Sequence, residues 1–295
     1  MTTYANRAHW SELLEDLSVE MTGRDIGELA DAAALLPAST RVNVTFLASE
    51  DLALRLDAAR AVRDAGLIPV PHIAARRLGD QGELEEILAA LAEDRFSERI
   101  FVIGGDPKTP HGPFSSALDV IRSGLLPAHG VREVGIGGYP EGHPDIGQEQ
   151  LWQALRDKSE ALRQQGLDGS IITQFGFDEK PILSWLERVR ESGIDLPVRV
   201  GAPGPTSVKR LLGFARRFGV ASSAGIARKY GLSMTNLIGN AGPDRLLEHL
   251  HRGYREETHG EVRVHLYTFG GLVQTARWAR QAGAASGADQ TNHTR

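Results

Sequence analysis

Glu20 is the first residue of this chain whose surroundings suggest chemistry. It sits in Leu17-Ser18-Val19-Glu20-Met21, a short and mostly apolar run. A carboxylate buried in such a run costs free energy unless it is paired or put to use. Two readings stand side by side: a working carboxyl in a ligand site, and a structural carboxylate closing a salt bridge across the mouth of a fold. Other apolar runs also end in polar, titratable or glycine residues. Thr45 follows Val42-Asn43-Val44, and His72 follows Pro69-Val70-Pro71. Gly104-Gly105-Asp106-Pro107 and Gly137-Gly138-Tyr139-Pro140-Glu141-Gly142-His143-Pro144 each close a run. Thr173-Gln174-Phe175-Gly176-Phe177-Asp178 and Tyr267-Thr268-Phe269-Gly270-Gly271 close two more.

Gly104, Gly105 and Asp106 would let a bulky ligand approach the backbone beside a carboxylate. The same residues are ordinary turn formers, and no G-x-G-x-x-G opens a helix after them. His72 and His143 lack a second histidine or carboxylate at helical i, i+4 spacing, so each reads as a hydrogen-bonding group rather than a metal ligand. The serines offer no G-x-S-x-G elbow. Cysteine is absent, which removes disulfides, thiolate metal sites and cysteine nucleophiles. The Arg76-Arg77 and Arg216-Arg217 pairs read as solvated surface charge.

The runs that would position these residues number eight, at 17–21, 41–46, 68–73, 99–103, 133–137, 169–175, 197–200 and 262–268. Several are continuously apolar, such as Ile100-Phe101-Val102-Ile103, as strands buried on both faces require. Amphipathic stretches lie between them at 51–65, 83–92, 148–165, 181–191 and 206–218, the last starting at Thr206 and stopping at Gly219. Two further helices are expected between strands seven and eight, around 223–230 and 243–255. Eightfold strand–helix alternation predicts an α/β fold, a single (β/α)8 TIM barrel over residues 1–283, with a small polar tail at 284–295 expected to be disordered. The chain's 295 residues suit one such barrel, which needs roughly 250. Barrels of this kind build their sites at the C-terminal strand ends, where the residues above gather.

A net charge of −5 argues against nucleic acid as partner. No apolar run approaches the ~20 residues of a membrane span, and the first twelve residues lack the apolar centre of a secretory signal. A cytoplasmic protein with a small-molecule ligand is expected.

The strand-end segments resemble the methylenetetrahydrofolate reductases. Tyr139-Pro140-Glu141-Gly142-His143-Pro144 and Thr173-Gln174-Phe175-Gly176-Phe177-Asp178 carry the likeness. Thr45, Pro71-His72-Ile73, Gly105-Asp106-Pro107 and Val264-His265-Leu266-Tyr267-Thr268-Phe269 follow in the family's order. The resemblance implies FAD across the barrel mouth, NAD(P)H as hydride donor, and 5,10-methylenetetrahydrofolate reduced to 5-methyltetrahydrofolate. It implies that Glu20 is the general acid and a substrate contact, and that Gln174 contacts folate. Asp106 would lie near the flavin pyrimidine ring, and Thr45, His72, Gly105, Tyr139, His143 and Lys158 would be cofactor contacts. Because relatives are often oligomeric, it also raises a homo-oligomer as an expectation.

The chain departs from the family pattern at defined places. Gly104 stands where an arginine commonly contacts the cofactor, and Met21-Thr22-Gly23-Arg24 replaces an aromatic-and-proline run after the acid. Gly176 replaces a bulky aromatic, and Gly270-Gly271 replaces Asn-Arg. These departures predict weakened FAD binding. They leave as alternatives a paralogue of folate-linked demethylation, including methyltetrahydrofolate oxidation, and a folate-binding or methyl-transferring protein without redox chemistry.

Overall fold

The computed structural model describes residues 12–47, 49–207, 210, 213, 240–269 and 271–290. Eight strands close a barrel: β1 (Ser18–Met21), β2 (Arg41–Val44), β3 (Ile68–Ala74), β4 (Arg99–Ile103), β5 (Glu133–Gly138), β6 (Asp168–Phe175), β7 (Val198–Pro203) and β10 (Val262–Tyr267). They pair in chain order, and β10 returns to β1. Every barrel pairing is parallel. All eight expected strands are present, and their ends differ by a few residues.

Side chains alternate between two environments along each strand, as a period of two demands. Val19, Met21, Val42, Val44, Ile100, Val102, Val134 and Ile136 point outward into the main core beneath the helices. The opposite set faces the barrel interior. Low in the barrel, Glu133 pairs with both Arg41 and Arg99, and Arg199 pairs with Asp16. Above them Val70, Phe101 and Ile172 form a small apolar layer. Gly135 is required there, because a Cβ would stand 2.5 Å from the Phe101 ring.

Helices α1 (Ile26–Ala33), α2 (Leu52–Asp64), α3 (Gln81–Glu93), α4 (Ala117–Arg122), α5 (Leu125–Ala128), α6 (Gln148–Gln164) and α7 (Glu179–Glu191) cover the outside. Their starts are encoded locally. Asp51 accepts from the Leu54 amide at 2.8 Å, and Asp80 from the Glu83 amide at 2.8 Å, and such caps contribute roughly 1 kcal/mol each. The α3 face made by Leu84, Ile87, Leu88 and Leu91 is buried, each side chain worth roughly 1.5–3 kcal/mol.

Between β7 and β10 the sequence reading needs correction. Thr206 does not start a helix: Thr206–Ser207 pairs antiparallel with Asn240–Ala241 as strands β8 and β9. Thr206 is β-branched, which favours an extended backbone over a helix. Most of the expected helix at 206–218 and all of that at 223–230 lie outside the described residues. The helix expected at 243–255 is present as α8 (Asp244–Gly253), followed by α9 (Glu256–His259). The last helix, α10 (Leu272–Gln290), includes residues 284–290 of the tail expected to lack structure. Several small residues there are alanines, the best helix formers. No helix among the described residues is long and apolar enough to cross a membrane.

Candidate active site at the barrel mouth

A set of polar residues faces the barrel interior from neighbouring strands. Ser18 on β1 and His265 on β10 face each other across a strand pairing, and Ser18 Oγ lies 2.9 Å from His265 Nδ1. Asn43 Oδ1 lies 3.1 Å from His72 Nε2 across β2 and β3. Both histidines are held neutral, with pKa values lowered from 6.5 to about 3 by burial; the nearby His72 adds to the effect on His265. His265, 2% exposed, also packs edge-on against the Tyr267 ring at 4.8 Å.

Glu20 sits at the end of β1, paired in register with Asn43. The residue is half-buried, but its carboxyl is enclosed enough that burial raises its pKa from 4.5 to about 8. The charge of Asp25 raises it further, and the Thr268 amide opposes the shift. The carboxyl is therefore mostly protonated at neutral pH. No salt bridge of Glu20 is found among the described residues, so the carboxyl-in-a-site reading of this residue gains over the structural ion pair. The Tyr267 hydroxyl is pushed above its usual range by burial, then by Glu20 and Tyr139, so these three groups share one electrostatic environment.

Gln174 reaches the mouth through an irregularity. The β6–β7 register shifts between Ile172 and Phe175, and the displaced stretch is pinned by Thr173. Its hydroxyl accepts from the Gly201 amide at 2.8 Å, and its carbonyl accepts from Tyr267 Oη at 2.9 Å. A bulge of this kind re-aims a side chain. The Tyr267 ring crosses Gly201, where a Cβ would stand 2.7 Å from the ring. Gln174 Nε2 donates to Gly142 O at 3.0 Å, which ties β6 to the loop after β5. Phe175 packs edge-on against Phe177, Phe269 and Tyr267 and forms an aromatic wall on this side.

The remaining expected site residues are arranged as follows. Thr45 donates its hydroxyl to Met21 O at 2.8 Å and locks the ends of β1 and β2 together. Tyr139 is half-buried, and His143 stands edge-on to it at 5.5 Å, its Nδ1 accepting from the Asp145 amide at 3.1 Å. Gly105 takes φ of +89°, the turn that brings Asp106 to the rim. Asp106 is largely exposed and held by Arg77, whose Nε and Nη2 lie 3.1 and 2.8 Å from one carboxylate oxygen. Arg76 bonds the carbonyls of Ser115 and Pro107, at 2.7 and 3.3 Å. The pair read as solvated charge is thus engaged at the rim, because both residues follow directly on β3. Lys158 reaches the end of β5 from outside the barrel. It lies buried on α6, its Nζ 3.4 Å from Gly137 O, and burial lowers its pKa to about 8.

Sequence reasoning did not single out Ser18, Asn43, His265 and Tyr267 as a constellation. Strand alternation could have shown that each faces inward, but only the closed barrel brings β10 beside β1.

The profile of the methylenetetrahydrofolate reductases matches residues 23–269. The chain belongs to the methylenetetrahydrofolate reductase family. Methylenetetrahydrofolate reductase 2 of Saccharomyces cerevisiae is 31% identical over 130 residues, which are 41% of this chain and 20% of that protein. The chain therefore matches a minor part of that relative's length. Among solved structures, an uncharacterized protein from Clostridium thermocellum that binds two copies of 5-methyl-5,6,7,8-tetrahydrofolic acid superposes with a TM-score of 0.62 at 10% identity, covering 94% of this chain and 99% of that one. That likeness is one of fold. Glu20 and Gln174 lie on β1 and β6, and Lys158 lies on α6 with its Nζ at the end of β5.

The residues at the mouth suit a flavin in part. An added Cβ at Gly104 would meet nothing within 4 Å, so a side chain at the end of β4 would enter open space. Polar contacts for a flavin are available from Thr45, His72, Tyr139 and Asp106. Fixed positive charge for its phosphates is scarcer, since Arg77 is matched by Asp106 and Lys158 is enclosed.

Proposed function

We propose that this protein is a methylenetetrahydrofolate reductase-like oxidoreductase of the cytoplasm. It would move a hydride between NAD(P)H and 5,10-methylenetetrahydrofolate, giving 5-methyltetrahydrofolate. The observation that carries the reading is Glu20, a carboxyl held protonated near neutrality at the mouth of a barrel of this family. A general acid works best with a pKa near the operating pH. Glu20 would donate its proton to the folate nitrogen that leaves when the methylene bridge opens. Gln174 would orient the folate, and the wall of Phe175, Tyr267 and Phe269 would exclude water from its ring. FAD, when bound, supplies the two-electron carrier between nicotinamide and folate. Thr45, His72, Gly105, Asp106, Tyr139 and His143 would contact it. Lys158 would approach it from α6, past the end of β5. Anaerobic stopped-flow mixing with reduced nicotinamide, with and without FAD and methylenetetrahydrofolate, tests the assignment. No oxidation of nicotinamide under any of these conditions would overturn it.

Gly104 supports a narrower version in which flavin is held weakly. A charge-assisted hydrogen bond is worth roughly 1.5–3 kcal/mol, so losing one costs roughly tenfold to a hundredfold in affinity. After extensive dialysis the purified protein is expected to carry sub-stoichiometric flavin, and Gly104→Arg is expected to tighten binding in a fluorescence titration. Full, tightly held FAD in the wild-type protein would refute this version. A folate-binding or methyl-transferring protein without redox chemistry is the second reading. The two 5-methyl-5,6,7,8-tetrahydrofolic acid molecules bound by the Clostridium thermocellum protein suit this reading and the first alike, since that folate is also the product of the first.

Gln174→Ala is expected to weaken folate binding by roughly 0.5–1.5 kcal/mol, up to about tenfold, and nucleotide binding much less. Isothermal titration with each ligand measures both. An equal loss for the two would remove the folate-specific role.

A further inference from the structure

The barrel interior has a second polar region, at the end opposite the mouth. Arg41 on β2, Arg99 on β4 and Arg199 on β7 line one gap there, together with Asn43, Glu133 and Ser170. The apolar layer of Val70, Phe101 and Ile172 borders the gap and parts it from the mouth. Charge in this region is unbalanced. Arg41 and Arg99 share Glu133, and Arg41 and Arg199 share Asp16. Arg99 also reaches Glu98. Asp16 and Glu98 are exposed, so water screens them, whereas Arg199 is 6% exposed. Burial lowers the Arg199 pKa; Asp16 opposes the shift and Arg41 adds to it, so the two guanidiniums repel each other.

Donors also outnumber acceptors around the gap. A guanidinium donates in several directions and accepts in none. The Arg99 Nε is buried without a hydrogen-bond partner among the described residues: it stands 3.3 Å from Glu133 Oε2 but is not aimed at it. Asn43, 2% exposed, spends its Oδ1 on His72, and no described residue accepts from its Nδ2. The Ser170 hydroxyl, also buried, bonds to no described residue. A group that only accepts suits such a lining. A water would also have to donate, and Glu133 is already engaged by two arginines. The gap admits little more than one water-sized group, too little for phosphate, sulfate or a carboxylic acid. We propose that this end of the barrel binds one chloride ion, which neutralises the excess charge of Arg41, Arg99 and Arg199 and accepts from their spare N–H groups. The ion stabilises the fold from the face of the barrel that carries no reaction. The inference is independent of any reading of Glu20 or Gln174.

Chloride that binds only the folded barrel raises its stability by mass action. At about nine times the dissociation constant, the folding equilibrium constant rises about tenfold. Urea denaturation is followed in sodium chloride and in sodium gluconate at matched ionic strength. Gluconate is too large for the gap, so the comparison removes general screening. The wild-type midpoint is expected to be higher in chloride, and the difference to saturate as chloride rises. Arg99→Gln keeps a donor for Glu133 and removes one positive charge. Ser170→Val removes the hydroxyl and fills the gap with methyl groups. In each variant the chloride-specific shift is expected to be lost or much reduced, and either one suffices if the other does not fold. Equal wild-type midpoints in the two salts, a difference that grows without saturating, or a shift in the folded variants as large as in wild type would each overturn the proposal.

Discussion

Glu20→Gln is expected to reduce the rate of methylenetetrahydrofolate reduction by roughly 10²–10⁴-fold, the usual contribution of a positioned general acid. The oxidation of NAD(P)H by added flavin should be nearly unchanged, because no proton from Glu20 is needed there. Single-turnover measurements of the two half-reactions separate these outcomes. The wild-type rate of folate reduction should fall on an alkaline limb near pH 8, where the acid ionises. The variant should lose that limb along with the rate. A stability measurement gives an independent arm. The folded-state pKa of Glu20 lies above its ordinary 4.5, so between 4.5 and about 8 the folded protein keeps a proton that the unfolded chain has released. Stability from this group is complete below 4.5 and is lost as pH rises toward 8. Glu20→Gln should therefore flatten the decline in urea midpoint across that window. A variant that reduces folate at the wild-type rate would return Glu20 to a structural role.

Mild acid is expected to destabilise the protein well above the pH at which carboxylates protonate. The two interior histidines, His72 and His265, have pKa values lowered to about 3, whereas an unfolded histidine takes up its proton near 6.5. Below 6.5 the unfolded chain binds protons that the barrel refuses. The stabilisation is fully present above 6.5 and is lost as pH falls toward 3. At pH 5, 1.5 units below the unfolded value, one fully buried histidine accounts for roughly 2 kcal/mol. His265 meets that description, and half-buried His72 contributes less because solvent screens it. The whole stability of a domain is about 5–15 kcal/mol, so the loss is a large share of it. Urea denaturation between pH 7.5 and 5 measures the slope. His265→Gln keeps a polar partner for Ser18 and removes the titration, so its slope should be shallower than wild type. Equal slopes would show that His265 is not the group that resists protonation.

Much of the architecture was legible in the chain. Runs such as Arg99–Ile103 and Val262–Tyr267 declare themselves as strands because both faces are covered. Asp51 and Asp80 declare helix starts because a cap bond spans only three residues. The stretch after Pro203 was misread because Thr206 begins a two-residue strand whose partner lies at Asn240–Ala241. A local rule cannot see a partner that distant. Alanine favours helix, and the last helix runs on to Gln290 in a stretch whose small polar composition reads as a tail.

The candidate site divides along the same line. Residue order and type place Glu20, Gln174, Tyr139 and Asp106 at strand ends, and the alternation of each strand sets which side chains face inward. These are properties of a few consecutive residues, so the sequence alone determines them. The protonation state of Glu20 is not such a property. It depends on burial produced by closing eight strands, on Asp25 folded back onto Thr22, and on the Thr268 amide brought over by β10. Arg77 pairs with Asp106 because β3 and β4 are neighbours, and Lys158 is buried beside Gly137 because α6 packs on β5. Both follow from contacts between segments far apart in the chain. Burial and Coulomb interactions depend on distance in space, and only the closed barrel decides those distances.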